Sequence, residues 1–515
     1  MVFSPMRRAG FLCAVVFVST TAAQAQLRVV NWNVTNYSAG REDAFRTGIY
    51  GVNGANGLTM RPDLFLGQEF ISQAGVNNYR DAILNHLPSG SPGDWAACDF
   101  VNGPDTDSIC FYRTSKLDYI GFVTVSVGGA SPNQPRNIMR YDFRLKGYTA
   151  ASCVISCYPS HMKAQESGGD DDLRRLTEAQ RIRDNAETLP AGWNFLYGGD
   201  TNIQTSSGAD YQEMVGSQVN NAGRLFDPIK TPGSWNNNVI FQFVHTQDPA
   251  GSGGMDDRHD QILLCSALVD GNGFDYIGNP SVAYSTSTWN DSNHSYRAWG
   301  NDGTSYNLSL NNTSNSMVGN TIATALRTSA SSGGHLPVLL DLRVPAKVDS
   351  ETLLDFGQVA QFGSATLNLN VSNSGNVALW TATGIDDLDY TLLASAGFSA
   401  PGGSFSDLAG GGGDVHVITM DTSTPGIKSG TLTITSDAPD QPSRVVTLMG
   451  EVLAVPTCAA ADANCDLTVN GSDAPAFVDL LLGTAVPCDV CVGDMNTNGM
   501  IDGDDIAPFI DEVIP

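Results

Sequence analysis

The chain has 515 residues, with 27 Lys and Arg against 54 Asp and Glu, for a net charge of −27. After the first 25 residues no apolar run approaches the ~20 residues that a membrane helix needs, which excludes an integral membrane segment. The acidity opposes polyanions in general, but it is uneven: from Ala346 onward 23 acidic residues face 3 basic ones, leaving 31 and 24 before it. The first part therefore carries only −7, which leaves room for an anionic ligand at a local cationic site.

The first 25 residues combine Arg7 and Arg8, an apolar stretch from Gly10 to about Val18, and a small-residue end at Ala23-Gln24-Ala25. This is the pattern of a secretory signal peptide, and it predicts a mature chain from about Gln26, secreted or held at the cell surface. Nine cysteines then remain beyond Cys13, five between Cys98 and Cys265 and four between Cys458 and Cys491. Cys153 and Cys157 are too far apart on a strand, ~13 Å, to bridge each other, so at least one thiol is expected to stay free or to pair between chains.

The mature length suggests about three domains. From 26 to 345, strand-like runs alternate with helical stretches: LRVVNWNV, PDLFLGQEF, SICFYR, NIMRYDFRL, ASCVISCYPSH, WNFLYGGD, DQILLCSAL and HLPVLLDL are the strand candidates. Helices are expected at 76–87 and 171–189, and the Asn-, Ser-, Gly- and Thr-rich runs 201–256 and 270–330 read as loops. From 349 to 453 there are only alternating strand signals between turns, predicting an all-β sandwich; its one histidine, His416, is expected to face solvent.

The segment 456–515 contains an internal repeat of period 32, ADANCDLTVNGSD and GDMNTNGMIDGDD. Oxygen-bearing side chains recur at loop positions 1, 3, 5, 9 and 12, namely Asp462, Asn464, Asp466, Asn470, Asp473 and Asp494, Asn496, Asn498, Asp502, Asp505. Such a 12-residue loop wraps Ca²⁺, which takes six to eight oxygens at ~2.3–2.6 Å. Position 6 is Gly499 in the second loop but Leu467 in the first, so the first is expected to bind more weakly. A disordered acidic tail is the plain alternative; the repetition of the spacing, with an apolar patch after each loop, favours the calcium reading. The four nearby cysteines suit disulfides better than a zinc site through Cys488-x-x-Cys491. These loops resemble dockerin calcium repeats, and the preceding sandwich resembles choice-of-anchor or ASPM-SPD-2-Hydin immunoglobulin-like modules. The resemblance implies a small helical calcium-loop module with a cohesin-like or cell-wall partner.

The ends of the first-domain strands carry polar residues. Asn31 and Asn33 share a face of the first run, Glu69 ends the second, and Asp107 precedes the third. His161 and Lys163 follow a buried strand, Gly198 and Gly199 lead to Asp200 and Asn202, Arg258 and Asp260 stand before another strand, and Gly333-Gly334-His335 precedes the last. Taken singly, each has a structural explanation. In order, N-W-N, Q-E, S-H-M-K, G-G-D-x-N, the Asp of R-H-D-Q-I-L, and H-L-P-V resemble the endonuclease/exonuclease/phosphatase superfamily over about residues 27–344.

That resemblance implies an α/β four-layered sandwich, two β-sheets flanked by helices, acting as a metal-dependent phosphoric ester hydrolase. It makes Glu69 the principal Mg²⁺ or Mn²⁺ ligand with Asn33 beside it. Asp200, close to the metal, would position or deprotonate the attacking water, and Asn202 would hold a phosphoryl oxygen. It places His161 near the phosphate, oriented by Asp107, and pairs His335 with Asp260. The family's usual S-D-H is here Gly333-Gly334-His335, so a carboxylate is missing, and a weaker metal site or recruitment of another acid such as Asp302 is expected. The resulting expectation is a monomeric secreted phosphodiesterase whose substrate is nucleic acid or another phosphoester. A phospholipase C or phosphatase acting on lipid or sugar phosphates, and a catalytically impaired surface-binding protein, are the alternatives.

Overall fold

The computed structural model describes residues 26–86, 92–166, 169–454, 459–484 and 492–514. The expected signal segment 1–25, with Cys13, and residues Cys458, Cys488 and Cys491 lie outside the described residues.

The apolar runs form β1 (Leu27–Tyr37), β2 (Leu64–Phe70), β3 (Trp95–Ala97), β4 (Asp107–Arg113), β5 (Leu117–Ser126), β6 (Ile138–Leu145), β7 (Val154–His161), β8 (Asn194–Asp200), β9 (Leu225–Phe226), β10 (Asp260–Cys265), β11 (Asp275–Tyr276), β12 (Arg297–Ala298) and β13 (Val338–Arg343). They divide into two mixed sheets, one ordered β11-β13-β1-β2-β4-β3 with β12 also on β13, the other β5-β6-β7-β8-β10-β9. The parallel pairs β1–β2 and β7–β8 lie at the two centres and face each other.

Alternation along β1 explains the layering. Trp32 packs edge-on against Phe45 of α1 (Glu42–Tyr50), with ring centres 4.9 Å apart, whereas Asn31 faces Gly198 of β8. Helix α2 (Gln73–Asn78) is capped by Ser72 Oγ, which accepts from Gly75 N, and continues as one π-helical stretch to Leu84. The expected helix at 76–87 thus begins three residues earlier. Helix α3 (Asp171–Ala186) and α4 (Ala209–Val215) cover the second sheet, while α5 (Gly319–Ala330) packs with α1 over the first.

The runs 201–256 and 270–330 are therefore not loop throughout. The buried face of α5 is built largely from small residues, Ala323, Ala325 and Ala330 beside Ile322 and Leu326, among Thr and Ser, so its apolar stripe is faint in the sequence. Cys98, Cys110, Cys153, Cys157 and Cys265 are all free and buried, and burial pushes the Cys153 thiol up to about 12.

Beyond Pro345 follow β14 (Val348–Ser350), β15 (Leu353–Ala360), β16 (Thr366–Asn373), α6 (Val377–Trp380), β17 (Leu388–Ala394), β18 (Phe398–Ser399), β19 (Ser404–Asp407), β20 (Asp414–Met420), β21 (Gly426–Ser436) and β22 (Ser443–Leu453). They form sheets ordered β14-β16-β20-β18 and β15-β22-β21-β17-β19 around a core that includes Leu369, Ile418, Leu432 and Val446. His416 is a correction: it is buried, with its Nε2 2.7 Å from Tyr390 Oη and its ring 4.4 Å from that of Phe405. It shares the parity of Ile418 and Met420, so the inward side of β20 takes the histidine while Val415 and Val417 face solvent.

In the last segment, α7 (Ala474–Leu481) and α8 (Ile506–Val513) stack Phe477 on Phe509 at 3.8 Å. The two preceding loops share one bonding plan. Asp462 and Asp494 accept from the backbone at positions 5 and 6, and Asp473 and Asp505 accept from positions 3 and 9. Leu467 sits at φ +69° where the second loop has Gly499 at +88°, so leucine occupies a conformation that favours glycine. Cys465 is disulfide-bonded.

At the foot of β1 and β13, Arg28 donates to both carboxylate oxygens of Asp341, at 2.7 and 2.8 Å. Nearby, Lys116 donates to Asp63 at 2.8 Å and lies 4.9 Å from the centre of the Trp380 ring. Asp440 accepts from Thr149 N and Ala150 N, both at 2.8 Å, and Arg343 pairs with Asp386. The second unit is therefore fastened to the end of the sheets where β1 begins, about 17 Å along the strand from Asn33. Trp380→Ala should cost about 3–5 kcal/mol. In urea the 348–453 unit should then unfold in an earlier, separate transition; an unchanged unfolding curve would contradict this anchoring.

Candidate active site

Three strands of the second sheet carry a polar residue to one rung. In register, His161 of β7 lies beside Asp200 of β8, and Asp200 lies beside Asp260 of β10. From the first sheet, Asn33 of β1 lies beside Gln68 of β2, after which the ladder is irregular and Glu69 takes φ +65°. That backbone costs a non-glycine residue of order 1 kcal/mol or more, and the surrounding bonds maintain it. Asn36 N donates to Glu69 Oε2 at 2.8 Å, and Asn33 Nδ2 donates to Glu69 Oε1 at 2.9 Å and to Asp200 Oδ2 at 3.0 Å. One amide thus ties a carboxylate of each sheet.

His161 lies between the same two carboxylates, Nδ1 3.5 Å from Glu69 Oε1 and Nε2 3.3 Å from Asp200 Oδ2, and its Nδ1 has no hydrogen-bond partner. His335 Nδ1 is 2.7 Å from Asp260 Oδ2, which turns Nε2 towards Asp200 Oδ2 at 3.4 Å. Trp32 Nε1 donates to the His335 carbonyl at 3.0 Å. The glycine before it is obligatory: Gly334 has φ +66°, and a Cβ there would lie 2.3 Å from Ala330 O and 2.7 Å from Thr35 Oγ1. This backbone has no room for the aspartate that the family resemblance would place there.

The two imidazoles are driven apart. Burial would lower the pKa of His335, but the Asp260 and Asp200 charges outweigh it and raise it to about 10. For His161 burial prevails over the pull of Asp200 and lowers it to about 4. Burial opposes ionisation of Asp200, yet His335, His161 and His259 hold its carboxyl well below the usual range. At neutral pH the site therefore holds one imidazole able to accept a proton beside one able to donate.

Asn33, Glu69, His161, Asp200, Asp260 and His335 lie together at this point of the fold. Other expected residues do different work. Asp107 does not orient His161; its Oδ1 accepts from Gly103 N at 2.8 Å, and burial pushes it up to about 6. Asn202 is close, but its amide nitrogen donates to Met162 O at 3.2 Å, and its backbone N donates to Asp200 Oδ1. Asp302 is not recruited, since its oxygens accept from Thr304 and Ser316. Lys163 pairs with Glu166 and Asp171, and Arg258 pairs with Asp227.

Two contributors carry no sequence signal. Thr246 Oγ1 donates to Asp260 Oδ2 at 2.7 Å, and Arg41 donates to Val34 O and Thr35 O behind the Glu69 irregularity. Both are reached through short stretches of chain, six to fourteen residues, that carry no recognisable motif.

Ligand atoms of Glu69, His161 and Asp200 all lie within 4.8 Å of one another. Two carboxylates and an imidazole with an unpartnered nitrogen suit a divalent cation. Asn33, expected as a ligand, points its amide nitrogen at these carboxylates and its Oδ1 at Thr35 N, so as placed it braces the group.

No family model and no curated protein matches the sequence. Among solved structures, a humanized D. rerio TDP2 carrying 14 mutations is 13% identical, covering 62% of this chain and 100% of that one at a TM-score of 0.34. The human Nocturnin catalytic domain with bound sulfate is 13% identical over 62% and 95% at 0.35. An endonuclease/exonuclease/phosphatase from Beutenbergia cavernae DSM 12333 is 14% identical over 82% and 100% at 0.31. At such values the likeness carries no weight for the chemistry, which rests on the side chains themselves.

His335 keeps in the folded state a proton that the unfolded chain releases near pH 6.5. Its stabilising contribution is complete below that pH and is lost as the pH rises through about 10. Asp260→Asn removes the nearest anion, so the stability difference between wild type and variant, from urea midpoints, should shrink between about pH 6.5 and about 10. A difference constant with pH would show that Asp260 does not hold that proton.

Proposed function

We propose that the protein is a divalent-metal-dependent phosphodiesterase. The convergence of Glu69 and Asn33 from one sheet with His161, Asp200 and the Asp260–His335 pair from its surroundings carries this reading. Glu69 and Asp200 would hold Mg²⁺ or Mn²⁺, which when bound would polarise a phosphoryl oxygen, and the neutral His161 imidazole beside them would stay free of the metal.

The chain's own residues supply the rest. Asp200 stays anionic between two imidazoles and orients a water. His161, neutral, is placed to accept its proton, and the His335 imidazolium offers Nε2–H to charge developing on the ester oxygens. Such donors lower the transition state more than the ground state, because negative charge grows on those oxygens during the displacement. Asp260 holds the His335 tautomer and charge.

In this reading the substrate is extracellular nucleic acid, the enzyme is exported by residues 1–25, and the immunoglobulin-like unit 349–453 spaces it from a dockerin-like module, 456–515. That module would be ordered by Ca²⁺ and would dock to a cohesin-like or cell-wall partner. A phospholipase C reading is favoured by one feature, the exposed Val239 and Ile240 on the short turn Val239–Phe241. That turn follows Asn236, whose amide donates to Asp257 near the site, and an apolar tip there suits a lipid surface.

With Mg²⁺ or Mn²⁺ the protein should nick plasmid DNA, and Glu69→Ala should lower the rate at least ~10²-fold without loss of the circular dichroism of the native fold. Release of phosphocholine from sphingomyelin vesicles without DNA cleavage would transfer the assignment to phospholipase C. Absence of both would refute phosphoester hydrolysis of these classes. For the tail, EGTA should open residues 459–514 to protease while 26–345 stays resistant; a digestion pattern indifferent to EGTA would refute calcium ordering.

A further inference from the structure

The loop entering β10 places Asp256, Asp257 and His259 directly beside the site rung. His259 is fixed through its carbonyl, which accepts from Thr201 N at 2.8 Å and Thr201 Oγ1 at 2.9 Å, next to Asp200 in sequence. Its side chain is only 7% exposed, yet neither ring nitrogen has a hydrogen-bond partner. Leaving a buried donor or acceptor unpaired costs about 1–3 kcal/mol, so an imidazole stranded at both nitrogens calls for a ligand.

What faces it is negative. His259 Nε2 lies 3.7 Å from Asp257 Oδ1, and the charges of Asp248 and Asp256 also act on the ring. Asp257 cannot simply swing closer, because Asn236 Nδ2 donates to both of its oxygens, at 3.0 and 3.2 Å. Among the described residues no lysine or arginine pairs with Asp248, Asp256 or Asp257, and the intervening Arg258 is turned inward onto Asp227.

The separation of 3.7 Å is too long for a hydrogen bond. It does match two ligands of one ion: donors at ~2.0–2.2 Å from zinc, at tetrahedral to trigonal angles, stand about 3.3–3.7 Å apart. Imidazole excludes Ca²⁺ and disfavours Mg²⁺, which prefer oxygen, and admits Zn²⁺ or Mn²⁺.

We propose that Asp257 and His259 form a second cation site, for Zn²⁺ or Mn²⁺, beside the Glu69–His161–Asp200 group, with Asp248 and Asp256 adding attractive charge. Water or a substrate oxygen completes the coordination. An ion here would also cancel a negative lobe that otherwise repels a phosphodiester at the neighbouring centre. The site does not depend on which ester, if any, is hydrolysed.

The test uses the full chain with Ca²⁺ in excess to occupy the C-terminal loops and zinc alone as the probe. Crystals soaked in Zn²⁺ should show anomalous density touching a ring nitrogen of His259 and the Asp257 carboxylate. In solution, calorimetric zinc stoichiometry should fall by one ion in both His259→Phe and Asp257→Asn, and the density at Glu69 should persist. Two variants guard against a folding defect in one, checked by circular dichroism. No density at His259 in the wild type, or an unchanged stoichiometry in the folded variants, overturns the proposal.

Discussion

The close approach of the two sheets at Gly198 governs the molecule. A Cβ at that position would lie 2.7 Å from Leu66 Cδ2 and 3.4 Å from Asn31 Oδ1, so β8 can rest against β1 and β2 only because glycine is there. Behind this contact Gln68 Nε2 donates to Asn31 Oδ1 at 2.7 Å, both residues fully buried, which satisfies part of the polar surface enclosed between the sheets. Ahead of it, two residues along β8, Asp200 comes within reach of the amide that also holds Glu69. Separate the sheets by one side chain and Asn33 could no longer bridge them.

That geometry concentrates like charge, and the fold answers it with opposite charge and strain. Glu69, Asp200 and Asp260 lie around two histidines; one imidazole is charged by its contact with Asp260, while the other is kept neutral by burial. Glu69 holds a left-handed backbone, and Gly334 folds into a turn that no side chain could enter. Costs of this kind persist where the surroundings over-determine the structure. The opposite end of the same strands supplies order: Arg28 on Asp341, Lys116 on Asp63, and Trp380 packed into the main core.

Much of the architecture was legible because apolar runs and period-2 alternation are local. All eight strand candidates of the first domain correspond to strands, with β7 beginning after Cys153 rather than before it. Half-exposed β5 was missed because its apolar residues do not keep one phase, Ile120 and Phe122 falling on the opposite parity from Val123 and Val125, and α5 was missed because alanine contributes little to an apolar stripe. His416 was misjudged although parity with Ile418 was available, since a polar residue on a core face needs a partner, and Tyr390 lies 26 residues away. The fates of Asp107, Asn202 and Asp302 were equally hidden: each is claimed by a partner whose proximity only folding establishes.

By itself the sequence determined which segments extend, where the chain turns, and which strand ends bear ionisable groups, because those properties follow from side-chain chemistry over a few residues. The folded structure alone decided that His161, Asp200 and Asp260 share a rung, that one Asn33 amide joins Glu69 to Asp200, and that His259 is buried without a partner. Register and sheet apposition arise from contacts between residues tens to hundreds of positions apart, and pKa values follow the resulting burial and charge, so neither can be read from local pattern.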